Sequence, residues 1–439
     1  MPLGFKGGIH PDDKKSLTAG KPIEEAHAPN QVILPMSMHI GAMCNPLVSV
    51  GERVLMGQLV AESAAPVSAP IHASVSGTVS AIEPRYAPTG VRVMSIVIDN
   101  DFMDEMVPLS RTDTKFSSLD ADALAEICRT CGIVGLGGAA FPVSIKIKSA
   151  AGCVDTLIIN GAECEPYITS DNRLIIEHGV ELLEGATIIM KALGLPSVHI
   201  AIESNKRAAI EHLRKLAAGK SHIILDVLHT KYPQGSEKHL IRAITGREIP
   251  PGKLPTAVGA ININVATTIA INRAVETGMP LIKKVVTVSG SAVANPKNLL
   301  VRIGTPIGEL LEECGGLLKT PYKILMGGPM MGVAQHTTDV SVIKGTNAIL
   351  AFCADEDKIC TEQTCIRCGK CVSACPMNLM PIYMRLYGDN DRLDECEKLN
   401  ISDCIECGCC SYVCPARLHL VQSFRNTKQR ISQSKKKEG

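Results

Sequence analysis

Two runs of cysteines near the C-terminus have the spacing of ligands for iron–sulfur clusters. The first run follows the pattern C-x2-C-x2-C-x3-C-P, and the second run repeats it. Three thiolates at this spacing can surround one face of a four-iron cubane, whereas the fourth cysteine, followed by proline, ligates the other cluster in two-cluster ferredoxins. The pattern therefore predicts two [4Fe–4S] clusters. Their ligands would be Cys365, Cys368, Cys371 and Cys414 for one cluster, and Cys375, Cys404, Cys407 and Cys410 for the other.

Zinc is the alternative metal for closely spaced cysteines. Structural zinc usually takes two separated C-x2-C pairs, so a doubled run of four cysteines favours iron–sulfur clusters. Cys409 falls outside the spacing and is interpreted as a bystander. Disulfide frameworks are typical of short secreted chains, whereas this chain has 439 residues and no apolar signal segment over 1–20, so we expect a reducing cytoplasm. The histidines interpreted as structural or surface residues are His10, His39, His72 and His239.

A glycine-rich segment could hold a phosphate. The sequence GLGGAAFP at 135–142 precedes Lys146. Clustered glycines let backbone N–H groups approach a phosphate, and a nearby lysine adds positive charge. The segment does not follow a strand and lacks a third glycine, so it is not a Rossmann fingerprint. A plain tight turn is the alternative interpretation.

Three further segments lie where predicted strands end or helices start. NGAECEP at 160–166 follows a strand, and YPQGSEK at 232–238 and NINVAT at 262–267 each begin a helix after a β run. Ligands of open α/β sheets bind beyond the carboxyl ends of the strands, where acidic side chains suit ribityl or ribose hydroxyls. The alternative for the acidic segment is a capped, solvated loop.

The elements that must position these residues follow from hydrophobic periodicity. Short alternating runs with glycine turns up to about residue 110 predict small antiparallel β structure, similar to the two halves of a lipoyl-type barrel sandwich. The hairpin at 67–73 has no lysine, so we expect a scaffold rather than a swinging arm. Predicted helices at 120–131, 173–193, 206–218, 236–245 and 265–277 alternate with strands at 154–160, 198–203 and 222–229, which indicates a mostly parallel sheet. Residues 284–352 return to β character with a helix at 306–314, and 428–439 is expected to be a solvated, frayed basic end.

Composition excludes several classes of function. The formal net charge is +1, so no overall field favours nucleic acid or a membrane surface. Trp is absent and aromatic residues make up 3%, which argues against base stacking. No uncharged apolar run reaches spanning length, so we expect no transmembrane helix and only peripheral membrane association.

The order of these segments resembles the flavin- and NADH-binding subunit of respiratory complex I and its hydrogenase relatives. Two positions depart from that family, because Ser236 and Ala266 stand where it usually has glutamates. The resemblance implies FMN contacts at Gly135, Gly137, Gly138, Lys146, Asn160, Glu163, Glu165, Asn264 and Thr267. It also implies that NADH lies near Phe141, Tyr232, Gly235 and Glu237.

Over residues 4–425 the pattern is most similar to the family of C subunits of Rnf complexes. Its signatures are FKGGIHP at 5–11, MGGPMMG at 326–332 after an SLBB-type segment, and the doubled ferredoxin motif. The resemblance implies a multidomain α/β protein: an N-terminal β barrel-sandwich (1–115), an α/β FMN/NADH-binding domain (116–283), a small SLBB-type β-rich domain (284–354), a C-terminal two-cluster ferredoxin domain (355–425) and a basic tail (426–439).

The function implied by this resemblance is electron transfer between reduced ferredoxin and NAD⁺, in either direction. A flavin exchanges two electrons with a nicotinamide and single electrons with a cluster, which explains why one chain would carry FMN and clusters. No acid–base catalyst is demanded. The implied partners are NAD(H), ferredoxin indirectly, and the other membrane and iron–sulfur subunits, which couple electron flow to cation translocation. The implied location is the cytoplasmic face of the membrane.

Two alternatives stay open at the level of sequence. A cobalamin-reductase-like protein shares the flavin loop and the doubled ferredoxin motif, but it tends to begin near the glycine loop. A non-enzymatic ferredoxin-like adaptor gives no reason for glycines and carboxylates such as Gly137, Gly138, Glu163, Glu165 and Glu237 to converge on strand ends.

Overall fold

Two small antiparallel sheets form the N-terminal part of the chain. The computed structural model describes residues 4–109, 119–354 and 361–438. One sheet contains β2 (Gln31–Pro35), β4 (Arg53–Val54), β7 (Gly77–Tyr86) and β8 (Arg92–Asn100), in the order β2-β8-β7-β4. The other contains β3 (Asn45–Pro46), β5 (Leu59–Glu62) and β6 (Ile71–His72). The predicted antiparallel β structure is confirmed by these pairings.

A parallel four-stranded sheet forms the centre of the molecule. Its strands are β9 (Thr156–Gly161), β10 (Val198–Glu203), β11 (Ile223–Leu228) and β12 (Ala260–Asn264), in the order β11-β10-β9-β12. Leu157, Ile158 and Ile159 are fully buried, as expected for a strand covered on both faces. The register pairs Asn264 with Asn160, so both side chains lie at the same carboxyl edge of the sheet.

Seven helices accompany this sheet: α1 (Ala121–Thr130), α2 (Val143–Ala150), α3 (Ser170–Glu177), α4 (Gly179–Ala192), α5 (Arg207–Leu216), α6 (Glu237–Thr245) and α7 (Val265–Thr277). Side chains that accept a backbone N–H bond cap α1 and α7, and the caps are Asp120 and Asn264. The predicted alternation of helices and parallel strands is confirmed.

The prediction of one continuous helix over 173–193 is wrong. The chain leaves helical geometry at His178, with φ −123° and ψ 29°, and α3 and α4 are separate helices. Tertiary packing explains the break. A Cβ on Gly179 would lie 2.7 Å from the Leu216 side chain of α5, and the Arg273 guanidinium of α7 lies 3.3 Å from the His178 ring. Helical periodicity alone does not reveal such contacts.

A six-stranded mixed sheet follows the α/β part. It contains β1 (Ile23–Glu25), β13 (Lys283–Ser289), β14 (Lys297–Arg302), β15 (Lys323–Met326), β16 (Val333–Gln335) and β17 (Ala348–Phe352), and α8 (Ile307–Glu313) joins two of its strands. Strand β1 pairs in parallel with β14, although about 270 residues separate them. The N-terminal segment therefore contributes an edge strand to a sheet formed mainly by residues after 282.

The cysteine-rich part is helical. It contains α9 (Lys370–Ala374), α10 (Pro381–Asp389), α11 (Leu393–Lys398), α12 (Cys409–Tyr412) and α13 (Leu420–Glu438). The frayed end expected over 428–439 is wrong up to Glu438, because α13 continues through it. Ile431 is buried, and the Lys428 ammonium donates to the Cys404 carbonyl at 2.6 Å and pairs with Glu406 at 2.9 Å.

The predicted domain boundary at 115/116 lies outside the described residues, as do residue 355 at the last interdomain boundary and Gly439. Within the ranges that the structure describes, no helix is both long and apolar enough to cross a membrane.

Close packing of α4 on α7 gives a test of the α/β core. In an exposed helix, Gly→Ala would stabilise by about 1 kcal/mol. At Gly185, however, a Cβ would lie 2.4 Å from the Thr268 carbonyl oxygen of α7. We expect Gly185→Ala to lower the free energy of unfolding by about 1–3 kcal/mol, measured by urea denaturation with circular dichroism.

The neighbouring exposed position supplies the control for this substitution. Glu184→Ala lies on the same helix and should change the free energy of unfolding by less than about 0.5 kcal/mol. A Gly185→Ala variant as stable as the wild type would contradict the close helix contact.

Candidate flavin and iron–sulfur sites

Two asparagines form the base of a site at the carboxyl edge of the parallel sheet, which we call the strand-end site. Asn160 follows the core of β9, donates its amide to the Gly235 carbonyl at 2.9 Å, and accepts from the Ala162 N–H at 3.0 Å. Asn264 ends β12, caps α7 through Oδ1, and donates Nδ2 to Asp171 at 2.7 Å. Both predicted site residues are therefore fixed at this edge by their hydrogen bonds.

The glycine-rich segment closes on itself beside these asparagines. The Gly135 N–H donates to the Phe141 carbonyl at 2.9 Å, and the Leu136 N–H donates to Thr267 Oγ1 at 2.8 Å. Gly137 and Gly138 expose their backbone, and Gly138 has φ +117°, which favours glycine. A Cβ on Gly137 would lie 3.3 Å from the Asn264 amide. The segment is therefore an open cradle of backbone next to Asn264.

Lys146, on α2 after the glycine-rich segment, connects two of the predicted segments. Its ammonium lies 2.8 Å from the Glu237 carboxylate and 2.9 Å from the Asn262 side-chain oxygen. Glu237 is the first residue of α6, and Asn262 lies on β12. Together with the bond from the Leu136 N–H to Thr267, these contacts bring the glycine-rich segment, YPQGSEK and NINVAT together.

The loop NGAECEP at 160–166, called the acidic loop, contributes a buried carboxylate. Glu163 accepts the Asp171 N–H at 2.8 Å through Oε1, whereas Oε2 is buried and has no hydrogen-bond partner among the described residues. The Lys15 ammonium lies 3.9 Å from Oε2. Burial lowers the pKa of Lys15, and burial followed by the Glu163 charge raises the pKa of Asp171. Sequence reasoning missed Lys15 and Asp171, because no motif contains them.

Glu165 holds another loop in place. Its carboxylate accepts the Met330 N–H at 3.1 Å and the Met331 N–H at 3.0 Å, both from the MGGPMMG segment. Burial raises the pKa of Glu165 to about 7. The structure therefore gives this predicted FMN contact a protein partner on the SLBB-type side of the site.

Tyr232 is 2% exposed and points toward the cysteine-rich part. Its hydroxyl donates to the Cys407 carbonyl at 2.8 Å. Gly235, from the same segment, stays at the strand-end site: its N–H bonds Cys164 Sγ at 3.4 Å, and a Cβ there would lie 2.2 Å from the Ala162 carbonyl. Phe141 and Glu237 are half-buried at the strand-end site. Tyr232 packs in the same apolar cluster as Cys164, whose Sγ accepts the Gly235 N–H, so these two predicted NADH residues lie close together.

The eight predicted ligand cysteines occupy one helical region. The thiol-bearing residues Cys375, Cys404, Cys407 and Cys410 line a single cavity, together with apolar residues such as Phe424. Cys371 lies close enough to Cys414 and Cys365 for their charges to add to the burial that raises its pKa. Among the described residues, no three His, Cys, Asp or Glu side chains are close enough together for a single metal ion.

The two motifs have the same local geometry. Arg367 and Glu406 occupy the same motif position, have φ +55° and +56°, and each directs its N–H to the preceding cysteine sulfur at 3.4 Å. Gly369 and Gly408 follow with φ +75° and +80°. Cys375 of the first run shares a cavity with Cys404, Cys407 and Cys410, and Cys371 lies near Cys414 of the second run. This crossed arrangement fits two iron–sulfur clusters that each take one ligand from the other run.

The two sets differ in their surroundings. Cys407 and Cys410 are buried, whereas Cys368 is exposed. We call Cys375, Cys404, Cys407 and Cys410 the inner set, because Cys407 contacts Tyr232 and Pro376 receives a bond from His239 at 3.1 Å. Cys365, Cys368, Cys371 and Cys414 are the outer set. The strand-end site likewise fits a flavin mononucleotide, because it has a glycine cradle, fixed asparagines and a carboxylate oxygen, Glu163 Oε2, that accepts no hydrogen bond from the described residues.

Four family models match consecutive segments of the chain. They are the RnfC barrel sandwich hybrid domain at 3–103, the Nuo51 FMN-binding domain at 128–273, the SLBB domain at 285–334 and the 4Fe-4S dicluster domain at 364–418. The predicted fold class, with these four parts in this order, is confirmed. The predicted cofactor types, FMN and two [4Fe–4S] clusters, agree with the domains that match.

Three curated relatives match nearly the whole chain. The C subunit of the Na⁺-translocating ferredoxin:NAD⁺ oxidoreductase complex of Acetobacterium woodii is 45% identical over 99% of this chain and 98% of that protein. The proton-translocating counterpart from Clostridium ljungdahlii is 46% identical over 98% and 94%. The C subunit of the ion-translocating oxidoreductase complex of Rhodobacter capsulatus is 42% identical over 98% and 84%.

A solved structure shares the fold. A chain of an NAD⁺-reducing [NiFe]-hydrogenase in the H2-reduced state superposes with a TM-score of 0.50 and 18% identity. The match covers 72% of this chain and 61% of the hydrogenase chain.

The raised pKa of Glu165 predicts a pH dependence of stability. An unfolded glutamate has a pKa of about 4.3, so between that value and about 7 the folded chain binds more protons than the unfolded chain. The free energy of unfolding should therefore fall by about 1–3 kcal/mol as pH rises from about 5 to about 8, with little further loss from this group above about pH 8.

Substitution isolates this contribution. Urea denaturation at pH 5 and pH 8 should show a smaller pH-dependent loss in Glu165→Gln than in the wild type, because the amide does not ionise. Glu184→Gln, a surface change that also removes one carboxylate, should follow the wild type. Identical pH profiles for wild type and Glu165→Gln would contradict the prediction.

Adjacent cysteines supply a matched test of the cluster ligands. Cys410 belongs to the inner set, whereas its neighbour Cys409 falls outside the motif spacing. We expect Cys410→Ala to lose about half of the bound iron and sulfide after anaerobic reconstitution, since one of two clusters loses a ligand. Cys409→Ala should keep both clusters, measured by iron content and electron paramagnetic resonance. Equal losses in the two variants would contradict the ligand assignment.

Proposed function

Because this chain belongs to the family of C subunits of Rnf complexes, we propose that it is the NADH-binding flavin and iron–sulfur subunit of a ferredoxin:NAD⁺ oxidoreductase. It passes electrons between ferredoxin-derived clusters and NAD⁺ through FMN. Other subunits of the complex couple this flow to cation translocation. The chain acts at the cytoplasmic face of the membrane as a peripheral subunit, together with membrane and iron–sulfur partner subunits.

One observation carries this proposal: the strand-end site and the cysteine-rich region meet within a single chain. The Tyr232 hydroxyl donates to the Cys407 carbonyl at 2.8 Å, and Lys238 lies 3.8 Å from Asp403 across the same contact. When bound, FMN supplies the exchange of two electrons with a nicotinamide and of single electrons with a cluster. The full-length similarity to three C subunits supports the same assignment.

For FMN, the chain offers both backbone and side-chain groups. The exposed backbone of Gly137 and Gly138 suits a phosphate, since open N–H groups bind anions. Oε2 of Glu163 accepts no hydrogen bond within the described part of the chain, so it can accept one from a ribityl hydroxyl. The complete proposed set is Gly135, Gly137, Gly138, Lys146, Asn160, Glu163, Glu165, Asn264 and Thr267.

For NADH, we assign residues on the less buried side of the site. Phe141, Gly235 and Glu237 are half-buried there. Glu237 is already paired with Lys146, so a dinucleotide that approaches this place meets a neutralised ion pair rather than a free negative charge. Tyr232, from the same segment, completes the proposed NADH set, and its hydroxyl also reaches the inner set.

The surroundings of the two cysteine sets indicate the order of the two clusters along the electron path. The inner set faces the strand-end site, so its cluster is the one nearer to the flavin. The outer set presents Cys368 at the surface, next to Ile366, which is 68% exposed. We assign the outer cluster to exchange with a partner protein of the complex. An electron would therefore pass between flavin, inner cluster, outer cluster and partner.

Stepwise reduction by NADH tests the proposal. The full chain, purified anaerobically with reconstituted clusters and FMN, should lose its flavin absorbance on addition of NADH, and the broad cluster absorbance should bleach afterwards. Cluster absorbance that does not respond to NADH in flavin-loaded protein would contradict the proposed function.

Gly137→Val tests the flavin site in the same assay. The side chain would fill the cradle beside Asn264, so we expect FMN affinity to fall at least about tenfold while the iron content stays unchanged. Fluorescence titration with FMN measures the affinity. Unchanged FMN affinity would contradict the assignment of the cradle.

A further inference from the structure

An N-terminal segment crosses the contact between the strand-end site and the inner cysteine set. This segment, residues 5–15, is called the strap. It contains the FKGGIHP signature, which lies far in sequence from every residue that binds a cofactor under the proposed function. Residues 5–9 lie at the junction of Tyr232 with Cys407, and residues 13–15 lie at the acidic loop.

The strap contacts the backbone of the inner set. The Gly8 N–H donates to the Ala374 carbonyl at 2.9 Å, one residue before the ligand Cys375. Gly7 has φ +77°, and a Cβ there would lie 2.6 Å from the Cys375 carbonyl oxygen. Both the backbone angle and the close approach therefore require glycine at this position.

The strap also contacts the segment that carries Tyr232. Ile9 and Tyr232 exchange two backbone hydrogen bonds, at 2.9 and 3.0 Å, as in one rung of an antiparallel ladder. The Phe5 ring packs on the His239 ring at 4.4 Å, and the Lys231 ammonium lies 4.7 Å above the Phe5 ring. His239 in turn bonds the Pro376 carbonyl at 3.1 Å. Phe5 thus supports a direct contact between the two regions.

The far end of the strap reaches the acidic loop. The Asp13 carbonyl accepts the Tyr167 N–H at 2.7 Å, and the Lys15 ammonium donates to the Glu165 carbonyl at 2.8 Å and to the Ile168 carbonyl. The same ammonium lies 3.9 Å from Glu163. One continuous segment is therefore hydrogen-bonded both to a cluster-ligand loop and to the loop that carries the proposed flavin carboxylates.

We propose that the strap is a positioning element that holds the inner cluster at a fixed distance from the flavin, with Gly7 as its central positioning residue. The proposal rests on the proposed function, since it concerns electron transfer between the two cofactors. Electron transfer between two bound cofactors slows as their separation grows, so a displacement of the inner cluster at this contact should slow the transfer. Gly7 touches no reacting atom and acts through Cys375.

Gly7→Ala in the full chain tests the proposal. With clusters and FMN bound, stopped-flow absorbance separates reduction of the flavin by NADH from the later reduction of the clusters. We expect the flavin step to keep its rate and the cluster step to slow, because the inner cluster would no longer be held at its position relative to the flavin. Phe5→Ala, which removes only the ring contact, should slow the cluster step in the same direction.

Gly20→Ala is the matched control. Gly20 lies downstream of the strap, and a Cβ there would meet nothing within 4 Å. This variant should match the wild type in both steps. Hydrogen–deuterium exchange supplies a readout that does not depend on electron transfer: peptides covering 370–378 should exchange faster in Gly7→Ala than in Gly20→Ala.

The outcomes distinguish a failure of the proposed role of the strap from a failure of the proposed function. If Gly7→Ala changes neither the rate of cluster reduction nor the hydrogen–deuterium exchange over 370–378, the proposed role of the strap is wrong. A slower cluster step in Gly20→Ala of the same size would also overturn it. If wild-type clusters never respond to NADH, the proposed function fails, and the exchange over 370–378 still decides whether the strap holds the inner set.

Discussion

The contact between Tyr232 and the backbone of Cys407 is the constraint around which the molecule is organised. A flavin site and an iron–sulfur centre are useful together only when electrons can tunnel between them, and this requires a short and constant separation. The structure meets the requirement with a buried tyrosine whose hydroxyl donates at 2.8 Å, and with His239, which bonds Pro376 at 3.1 Å. Both donors belong to the segment that follows β11, so the parallel sheet itself carries the docking site for the clusters.

Buried charges at the other side of the flavin site serve position rather than net stability. Lys206 is almost fully buried, bonds Glu203 at 2.8 Å and donates to the Glu163 carbonyl at 3.2 Å. A buried ion pair contributes little net free energy compared with apolar residues, but loss of one partner costs about 3–5 kcal/mol. Together with Lys15, this arrangement therefore fixes where the acidic loop lies, because any displacement would leave a charge unpaired in the interior.

The sequence predicted those features that depend on local pattern. The spacing of the cysteines is enough to predict two clusters. The apolar runs of β9 and β12 predict strands whose carboxyl ends carry Asn160 and Asn264. Features that depend on contacts between distant parts of the chain were not predicted. The pairing of β1 with β14, the break at His178 and the helix over the basic end each follow from tertiary contacts. Lys15 and Asp171 carry no motif, and the burial of Tyr232 against Cys407 follows only from the docking of two regions. The exact set of cofactor contacts and the domain boundaries stay predictions.

The repeated cysteine motif shows how one local geometry can serve two different roles. Arg367 and Glu406 share the same left-handed backbone and the same N–H bond to sulfur, so the cluster-binding turns are nearly equivalent. Their environments are not equivalent. Tyr232 and Ile9 of the strap cover the inner set, whereas Cys368 lies at the surface. Burial removes water from around one centre and leaves the other open to a partner. The order of the two clusters along the proposed electron path therefore follows from what packs on each motif, so two similar cluster-binding turns serve two different positions in that path.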